Sequence, residues 1–150
     1  MPMPFYQMQH KQDIIRHFTP NWFAITMGTG VLVLILPEFS FFPALMWQLA
    51  IWLWQLNSLV FSVFAVLYIL RWMMYPKEAQ EIFQHPSMSL FLGTISMGLA
   101  TVLNGLLKFG LPIYGDIAIQ VAHVLWYVDV VLAIGIGVLI PFCMYSRQQH

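Results

Sequence analysis

An acid and a histidine within long apolar runs are the residues of this sequence best placed to do chemistry. Asp129 lies about 12 residues into an apolar run, roughly 18 Å deep if that run is a membrane-spanning helix. An Asp at the centre of such a helix costs about 2.5–3.5 kcal/mol to insert, so its carboxyl group has to be paired, protonated or in a wet cavity. The sequence leaves two roles open. Asp129 is either a proton-linked or gating acid, or a structural acid hydrogen-bonded to a Thr or Ser of a neighbouring helix.

His123 lies six residues before Asp129, which is about 240° around an α-helix. The two side chains therefore lie on different faces and form no relay. His123 is nearer the end of the apolar run, at a depth similar to that of Asn104. It either hydrogen-bonds a neighbouring helix or acts as a pH-sensitive group at an outer mouth.

Two short segments rich in Gly, Thr and Ser form the other candidate site. They read Thr-Met-Gly-Thr-Gly at 26–30 and Gly-Thr-Ile-Ser-Met-Gly at 93–98, each within an apolar run. Small residues allow either close packing of helices or a pore lined by backbone. Both interpretations remain open for the four glycines of these segments, Gly28, Gly30, Gly93 and Gly98.

Other chemistries find little support in the sequence. Cys143 is the only cysteine, so neither an internal disulfide nor a cysteine metal cluster can form. Haem held between helices needs two facing histidines at equal depth, and only His123 lies within an apolar run. No Ser/His/Asp or metal-ligand constellation is present. We therefore expect no enzymatic activity, no cofactor and no metal.

The composition indicates which elements must position these residues. The 150 residues are 60% hydrophobic and only 8% charged, whereas a soluble domain carries about 25% charged residues. The chain is predicted to be an all-α protein that crosses a lipid bilayer several times. Its net charge of zero gives no indication of a nucleic-acid partner.

Four apolar runs are long enough to cross the roughly 30 Å hydrocarbon core of a membrane as helices. Thr19 is expected to cap the first and Pro20 to occupy its first position. Residues 108–116 are expected to form a tight turn. The predicted spans are 20–38, 44–73, 88–108 and 117–144, within a membrane domain at 19–146 that is flanked by an interfacial or solvated segment at 1–18 and a tail at 147–150.

Basic residues predict the orientation of these helices. Five of the six lie on the side of the two termini, and one lies on the other side. By the positive-inside rule both termini are expected in the cytoplasm, within a plasma or bacterial inner membrane. The five are Lys11, Arg16, Arg71, Lys77 and Arg147, and the exception is Lys108.

The four spans alternate in amino-acid composition. The first and third are rich in small and hydroxyl residues, the second lacks glycine and is strongly aromatic, and the fourth is mostly apolar. This alternation predicts two repeated hairpins, with the odd spans inside and the even spans outside.

Three motifs resemble one known family, the tellurite-resistance/dicarboxylate transporters. This family includes TehA-like proteins, malic acid permeases, sulfite efflux pumps and plant slow anion channels. The segment at 17–23, His-Phe-Thr-Pro-Asn-Trp-Phe, followed by Met-Gly-Thr-Gly at 27–30, resembles the family's opening. His-Pro at 85–86 with Ser-Leu-Phe-Leu-Gly-Thr at 89–94 resembles the entry of its third helix, and Leu-Trp-Tyr-Val-Asp at 125–129 its fourth.

The resemblance implies a fold of ten helices in five hairpins, with odd helices around a central pore. It implies transport of small anions without a cofactor, often by a trimer. The anion could be a C4-dicarboxylate such as malate, sulfite, another oxyanion or a halide. By position, Gly28, Thr29, Gly30, Gly93 and Thr94 would line the anion pathway, with Asp129 and His123 as possible gating or proton-linked groups.

Four helices of an implied ten lead to a further expectation. The chain is either a truncated or split gene product, or it assembles with copies or a companion chain to complete a pore. The alternative is a structural or regulatory membrane subunit that transports nothing and whose glycines only pack helices.

Overall fold

A computed structural model describes residues 12–147, without the side chains of Gln12, Asp13, Pro86 and Arg147. Within this range the chain is all-α and holds four long apolar helices, so the predicted fold class is confirmed. Two parts of the prediction lie outside the described residues: 1–11 of the segment at 1–18, and 148–150 of the tail at 147–150. The helices long and apolar enough to cross a membrane are span 1 (Pro20–Glu38), span 2 (Pro43–Met74), span 3 (Ser87–Tyr114) and span 4 (Asp116–Ser146).

Proline and short 3₁₀ turns set the limits of span 1. Pro20–Trp22 is a 3₁₀ turn that leads into the α-helix Phe23–Ile35, and Leu36–Glu38 is a second 3₁₀ turn that ends the span. Thr19 is at the capping position, but its hydroxyl donates to the Asn21 side chain instead of accepting from a backbone N–H. The expected side-chain cap is therefore wrong, and Pro20 does open the span as expected.

Span 3 is longer than predicted, and the tight turn expected at 108–116 is wrong. The α-helix Gly93–Gly105 continues into a π-helical segment, Leu106–Gly110, and then into Leu111–Tyr114. Pro112 lacks a backbone N–H, and a π-helical segment accommodates such a missing bond without ending the helix. The chain reverses only at Gly115, whose φ of 58° and ψ of −137° require glycine.

Shorter helical pieces join the spans at the end of the bundle where span 1 begins. Gln12–Arg16 precedes span 1. The connection between spans 2 and 3 contains the α-helix Pro76–Gln80 and the 3₁₀ helix Glu81–Gln84, followed by the α-helix Pro86–Leu90. We call this the basic end, since Arg16, Arg71 and Lys77 lie there.

Span 3 lies at the centre of the bundle, between span 1 and span 4. Of the most apolar stretch of each span, 28% is buried in span 1 and 39% in span 3, against 17% in span 2 and 11% in span 4. The odd spans are thus more enclosed than the even ones, as the alternation in composition predicts. The even spans carry large apolar side chains on their outer faces, which is the arrangement expected of helices that meet lipid.

Spans 1 and 3 run parallel, and polar contacts join them along their length. Near the basic end the Thr94 hydroxyl donates to the Pro20 carbonyl at 3.1 Å. At the opposite end Lys108 Nζ donates to the Leu34 carbonyl at 3.0 Å and forms a 2.9 Å ion pair with Glu38. Parallel odd spans are what two repeated hairpins produce.

Span 2 crosses both odd spans in the antiparallel direction through two buried polar side chains. Asn57 Nδ2 donates to the Thr26 carbonyl of span 1 at 3.1 Å, and Trp54 Nε1 donates to the Val102 carbonyl of span 3 at 3.1 Å. The Trp54 ring lies against Gly105. A buried indole and a glycine therefore hold spans 2 and 3 close together.

Replacing Gly105 by Ala should destabilise this contact strongly. A Cβ at Gly105 would overlap Trp54 Cδ1 and come within 2.5 Å of Nε1, and the indole is fixed by its bond to Val102. We expect a loss of about 1–3 kcal/mol, as for other overpacked cores. Thermal unfolding in detergent measures it, with Gly135→Ala on span 4 as the control because that position is open. Equal stability of the two variants would contradict the prediction.

Candidate functional site

Asp129 packs against span 3 through a hydrogen bond in the middle of the bundle. The Ser96 hydroxyl donates to Asp129 Oδ1 at 2.7 Å. Ser96 is buried and Asp129 is half-buried, on the stripe of span 4 that faces span 3. The hydrogen bond expected of a structural acid is therefore present, with serine of the third span as the donor.

A groove of about 370 Å³ runs beside this pair between spans 3 and 4. Gly93 and Ser96 line it from span 3, and Gly137 and Pro141 line it from span 4. Pro141 lies inside the span 4 helix and has no N–H, so the Gly137 carbonyl lacks its usual helical donor. The groove therefore contains one backbone carbonyl without its helical donor in an otherwise mainly apolar lining.

The four glycines of the two small-residue segments separate into two kinds. A Cβ added at Gly28 or Gly93 would meet no atom within 4 Å. A Cβ at Gly30 would overlap the Thr101 side chain, and one at Gly98 would come within 3.0 Å of Thr26 Oγ1. Gly30 and Gly98 therefore pack the odd spans together. Gly28 is exposed, and Gly93 is half-buried and faces the groove between spans 3 and 4.

The two threonines predicted on the anion pathway also differ. Thr94 uses its hydroxyl between helices, donating to the Phe91 carbonyl at 2.6 Å and the Pro20 carbonyl at 3.1 Å. Thr29 is half-buried next to Gly28. Of the five residues, Gly28 and Gly93 have free space beside them, whereas Gly30 and Thr94 hold spans 1 and 3 together. Thr29 is half-buried and belongs to neither group.

His123 is exposed and lines a second groove between spans 3 and 4, of about 340 Å³. Its neighbours in the groove are mainly apolar and aromatic, among them Leu107, Trp126 and Tyr127. Across residues 12–147 no hydrogen bond joins His123 to another helix, so the expected bond to a neighbouring helix is not formed. Asp129 lies on a different face, as its spacing from His123 predicts.

Arg71 is the polar residue whose burial was hardest to predict from the sequence. Its place in the last turn of span 2 is typical of an anchor at the membrane interface, yet it is only 8% exposed. Its Nη1 donates to the Phe18 carbonyl at 2.5 Å and its Nη2 to the Glu78 carbonyl at 3.3 Å. Arg71 thus ties the start of span 1 to the connection between spans 2 and 3. The only signal in the sequence was its position within the last turn of span 2.

An ion pair between Arg16 and Glu78 lies beside Arg71 at the basic end. Arg16 Nε donates to both carboxylate oxygens of Glu78, at 3.0 and 2.8 Å, and Arg16 also lies over the Tyr75 ring. The hydrogen bond from Arg16 holds the pKa of the Glu78 carboxyl below its usual value of 4.5, helped by the charges of Arg16, His17 and Arg71 and opposed by desolvation. Glu78 therefore stays ionised well into the acidic range.

Acidification should loosen this ion pair. Because the pKa of Glu78 is lower in the folded protein, its stabilising effect is complete above the unfolded value of 4.5 and is lost as the pH falls below it. Glu78→Gln should therefore flatten the decline of the melting temperature below pH 4.5. The effect is expected to be small, because the pair is partly exposed. Parallel pH profiles for the wild type and the variant would contradict this assignment.

The model of the voltage-dependent anion channel family matches residues 17–150. The chain belongs to the voltage-dependent anion channel family. This confirms the resemblance to malic acid permeases and sulfite pumps inferred from the motifs at 17–30, 85–94 and 125–129, and the chain is a multi-pass integral membrane protein. Tellurite resistance stays a prediction.

Several relatives of this anion channel family resemble the chain over most of its length. A sulfite efflux pump of Arthroderma otae is 34% identical over 89% of the chain, and a malic acid transport protein of Schizosaccharomyces pombe is 26% identical over 91%. An uncharacterized transporter of Methanocaldococcus jannaschii is 28% identical over 93%. The chain spans 36%, 31% and 39% of these three relatives, respectively. No solved structure gives a significant match.

Proposed function

We propose that this chain forms part of a pathway for small anions across the membrane. The observation that carries the proposal is the free space beside Gly28 and Gly93, in the two innermost and parallel helices. Small residues leave room for an ion, and hydroxyls and helix dipoles can stabilise an anion without a fixed cation. Relatives described as a sulfite efflux pump and a malic acid transport protein support the same class of substrate.

The substrate is proposed to be sulfite, malate or another C4-dicarboxylate, a further oxyanion or a halide. Four spans leave the faces of Gly28 and Gly93 open, so further helices have to complete the wall. We propose that copies of the chain, in a trimer, or a companion chain supply these helices. No catalytic step and no cofactor enter this proposal.

The proposed orientation places both ends of the chain in the cytoplasm. Arg16, Arg71 and Lys77 gather at the end of the bundle where span 1 begins, and Lys108 lies at the other end. This distribution supports a membrane domain at 19–146 between cytoplasmic segments at 1–18 and 147–150, in a plasma or bacterial inner membrane.

Flux measured in liposomes tests the proposal. The natural gene product is reconstituted, its assembly mass is determined, and uptake of sulfite and of malate is recorded with and without an opposing anion gradient. We expect uptake of at least one of these anions by an assembly that contains more than four spans. A stable, folded assembly that transports none of the anions tested would overturn the proposal.

A structural or regulatory subunit is the second candidate function. Gly30, Gly98 and Gly105 favour it, since all three pack closely against side chains of neighbouring helices. Under this alternative, enlarging any of the glycines affects assembly only. The comparison of open with packed glycines therefore decides between the two functions.

A further inference from the structure

A small cavity lies at the basic end, outside the grooves between spans 3 and 4. Its volume is about 160 Å³, and its polar lining comes from Thr19, Arg71, Glu78, Glu81 and His85. The cavity has room for a small ion with a few waters.

Arg71 lines this cavity as a buried cation that forms no ion pair with a carboxylate among the described residues. Both of its hydrogen bonds go to neutral backbone carbonyls, those of Phe18 and Glu78. Its Nε is buried and has no acceptor. Within the described part of the chain, no carboxylate oxygen lies within 4 Å of its guanidinium. A buried charge in this situation is costly unless an anion compensates it.

The other charged groups around the cavity do not form an ion pair with Arg71. Arg16 takes up the Glu78 carboxylate at 2.7 Å, so these two charges compensate each other. Glu81 is exposed and makes no hydrogen bond among residues 12–147. His85 lies on the same lining and can donate a hydrogen bond, whereas the Thr19 hydroxyl already donates to Asn21.

We propose that this cavity is a binding site for a small oxyanion, held by Arg71 with help from His85. The anion would accept a hydrogen bond from Nε and neutralise the charge of the guanidinium. The N–H groups of a guanidinium form a rigid fork, and this fork matches the oxygens of planar or tetrahedral oxyanions. The lining of this cavity contains neither Gly28 nor Gly93, and the groove that Gly93 lines is a different one. Binding at this site does not require that the chain transports the anion.

Equilibrium binding of radiolabelled sulfate to the purified protein, in detergent and without phospholipid, tests the site. Arg71→Met should abolish saturable binding. Glu81→Gln removes the competing negative charge from the cavity lining and should tighten binding about two- to fivefold, the scale of an exposed charge pair. Glu81 is exposed and holds no helix in place, so this variant stays informative even if Arg71→Met fails to fold.

Lys77→Gln is the matched control. Lys77 is exposed on the same connection and does not line the cavity. Loss of its charge should leave sulfate binding unchanged. The proposal is overturned if Glu81→Gln binds sulfate no more tightly than the wild type, if Lys77→Gln weakens binding as much as Arg71→Met, or if no saturable binding is found. Flux is not part of this readout, so the site can fail while transport succeeds, and the reverse.

A free anion and the phosphate of a lipid headgroup share this chemistry. Repeating the measurement in nanodiscs of phosphatidylglycerol separates them. Sulfate binding that persists in nanodiscs, and remains sensitive to Glu81→Gln, assigns the site to a free anion. Binding that occurs in detergent but is displaced by the lipid assigns it to a headgroup. Both results support an oxyanion site at Arg71.

Discussion

Valine at Gly28 or at Gly93 is expected to lower anion flux about tenfold, while the protein still folds and assembles. A Cβ at either position meets no atom within 4 Å, so the larger side chain would enter the open space beside Gly28 or the groove that Gly93 lines. Valine also costs a helix no more than glycine does. If that space is part of the anion pathway, the isopropyl group narrows it. Flux per folded protein in liposomes measures the effect.

Gly30→Val and Gly98→Val provide the matched comparison. They lie two and five residues from the open positions on the same helices, but their Cβ atoms would collide with Thr101 or crowd Thr26 and Phe61. We expect both variants to lose folded protein on size-exclusion chromatography. Unchanged flux in both Gly28→Val and Gly93→Val would remove these residues from the pathway and favour the structural subunit.

The four spans were predictable because one physical constraint dominates them. A bilayer excludes charge over about 20 helical residues, and the runs that begin near Pro20 and Pro43 are free of charged residues over at least that length. The alternation of small and bulky residues similarly predicts which spans are enclosed. The pairing of Asp129 with a hydroxyl of another span follows from the same constraint, since a carboxyl group at that depth needs a partner.

The identity of that partner was not predictable. The chain reverses at Gly115 and not in the middle of 108–116, so counting from the expected turn does not single out Ser96. The roles of the individual glycines were not predictable. Gly28 and Gly30 differ only in their angle around one helix, and that angle is set by how spans 1, 2 and 3 pack together.

Arg71 shows a second limit of the sequence. A basic residue at the end of an apolar helix is usually an anchor that reaches the interface. Here the Phe18 carbonyl and the connection after span 2 fold over the guanidinium. These contacts join residues far apart in the chain, and neither composition nor spacing indicates them.

The largest effect on stability outside the glycines is expected at the Ser96–Asp129 pair. Ser96→Ala removes the donor and leaves the carboxyl group of Asp129 without its bond at the centre of the bundle. We expect a loss of about 1–3 kcal/mol, the usual cost of a buried acceptor left unsatisfied. Ser62→Ala is the control, since its hydroxyl bonds only the Ser58 carbonyl of its own exposed turn. Thermal or denaturant unfolding in detergent measures both variants.

Asp129→Asn separates the structural role of this acid from a proton-linked one. The amide oxygen can still accept from Ser96, so a structural acid predicts near wild-type stability and an unchanged dependence of flux on pH. In the double variant Ser96→Ala/Asp129→Asn no carboxylate is left to be unsatisfied, and it should recover part of the stability lost in Ser96→Ala. A proton-linked acid predicts instead that Asp129→Asn flattens the pH profile of flux at unchanged stability. That result would contradict the structural assignment, because a hydrogen bond that only joins spans 3 and 4 has no reason to respond to pH.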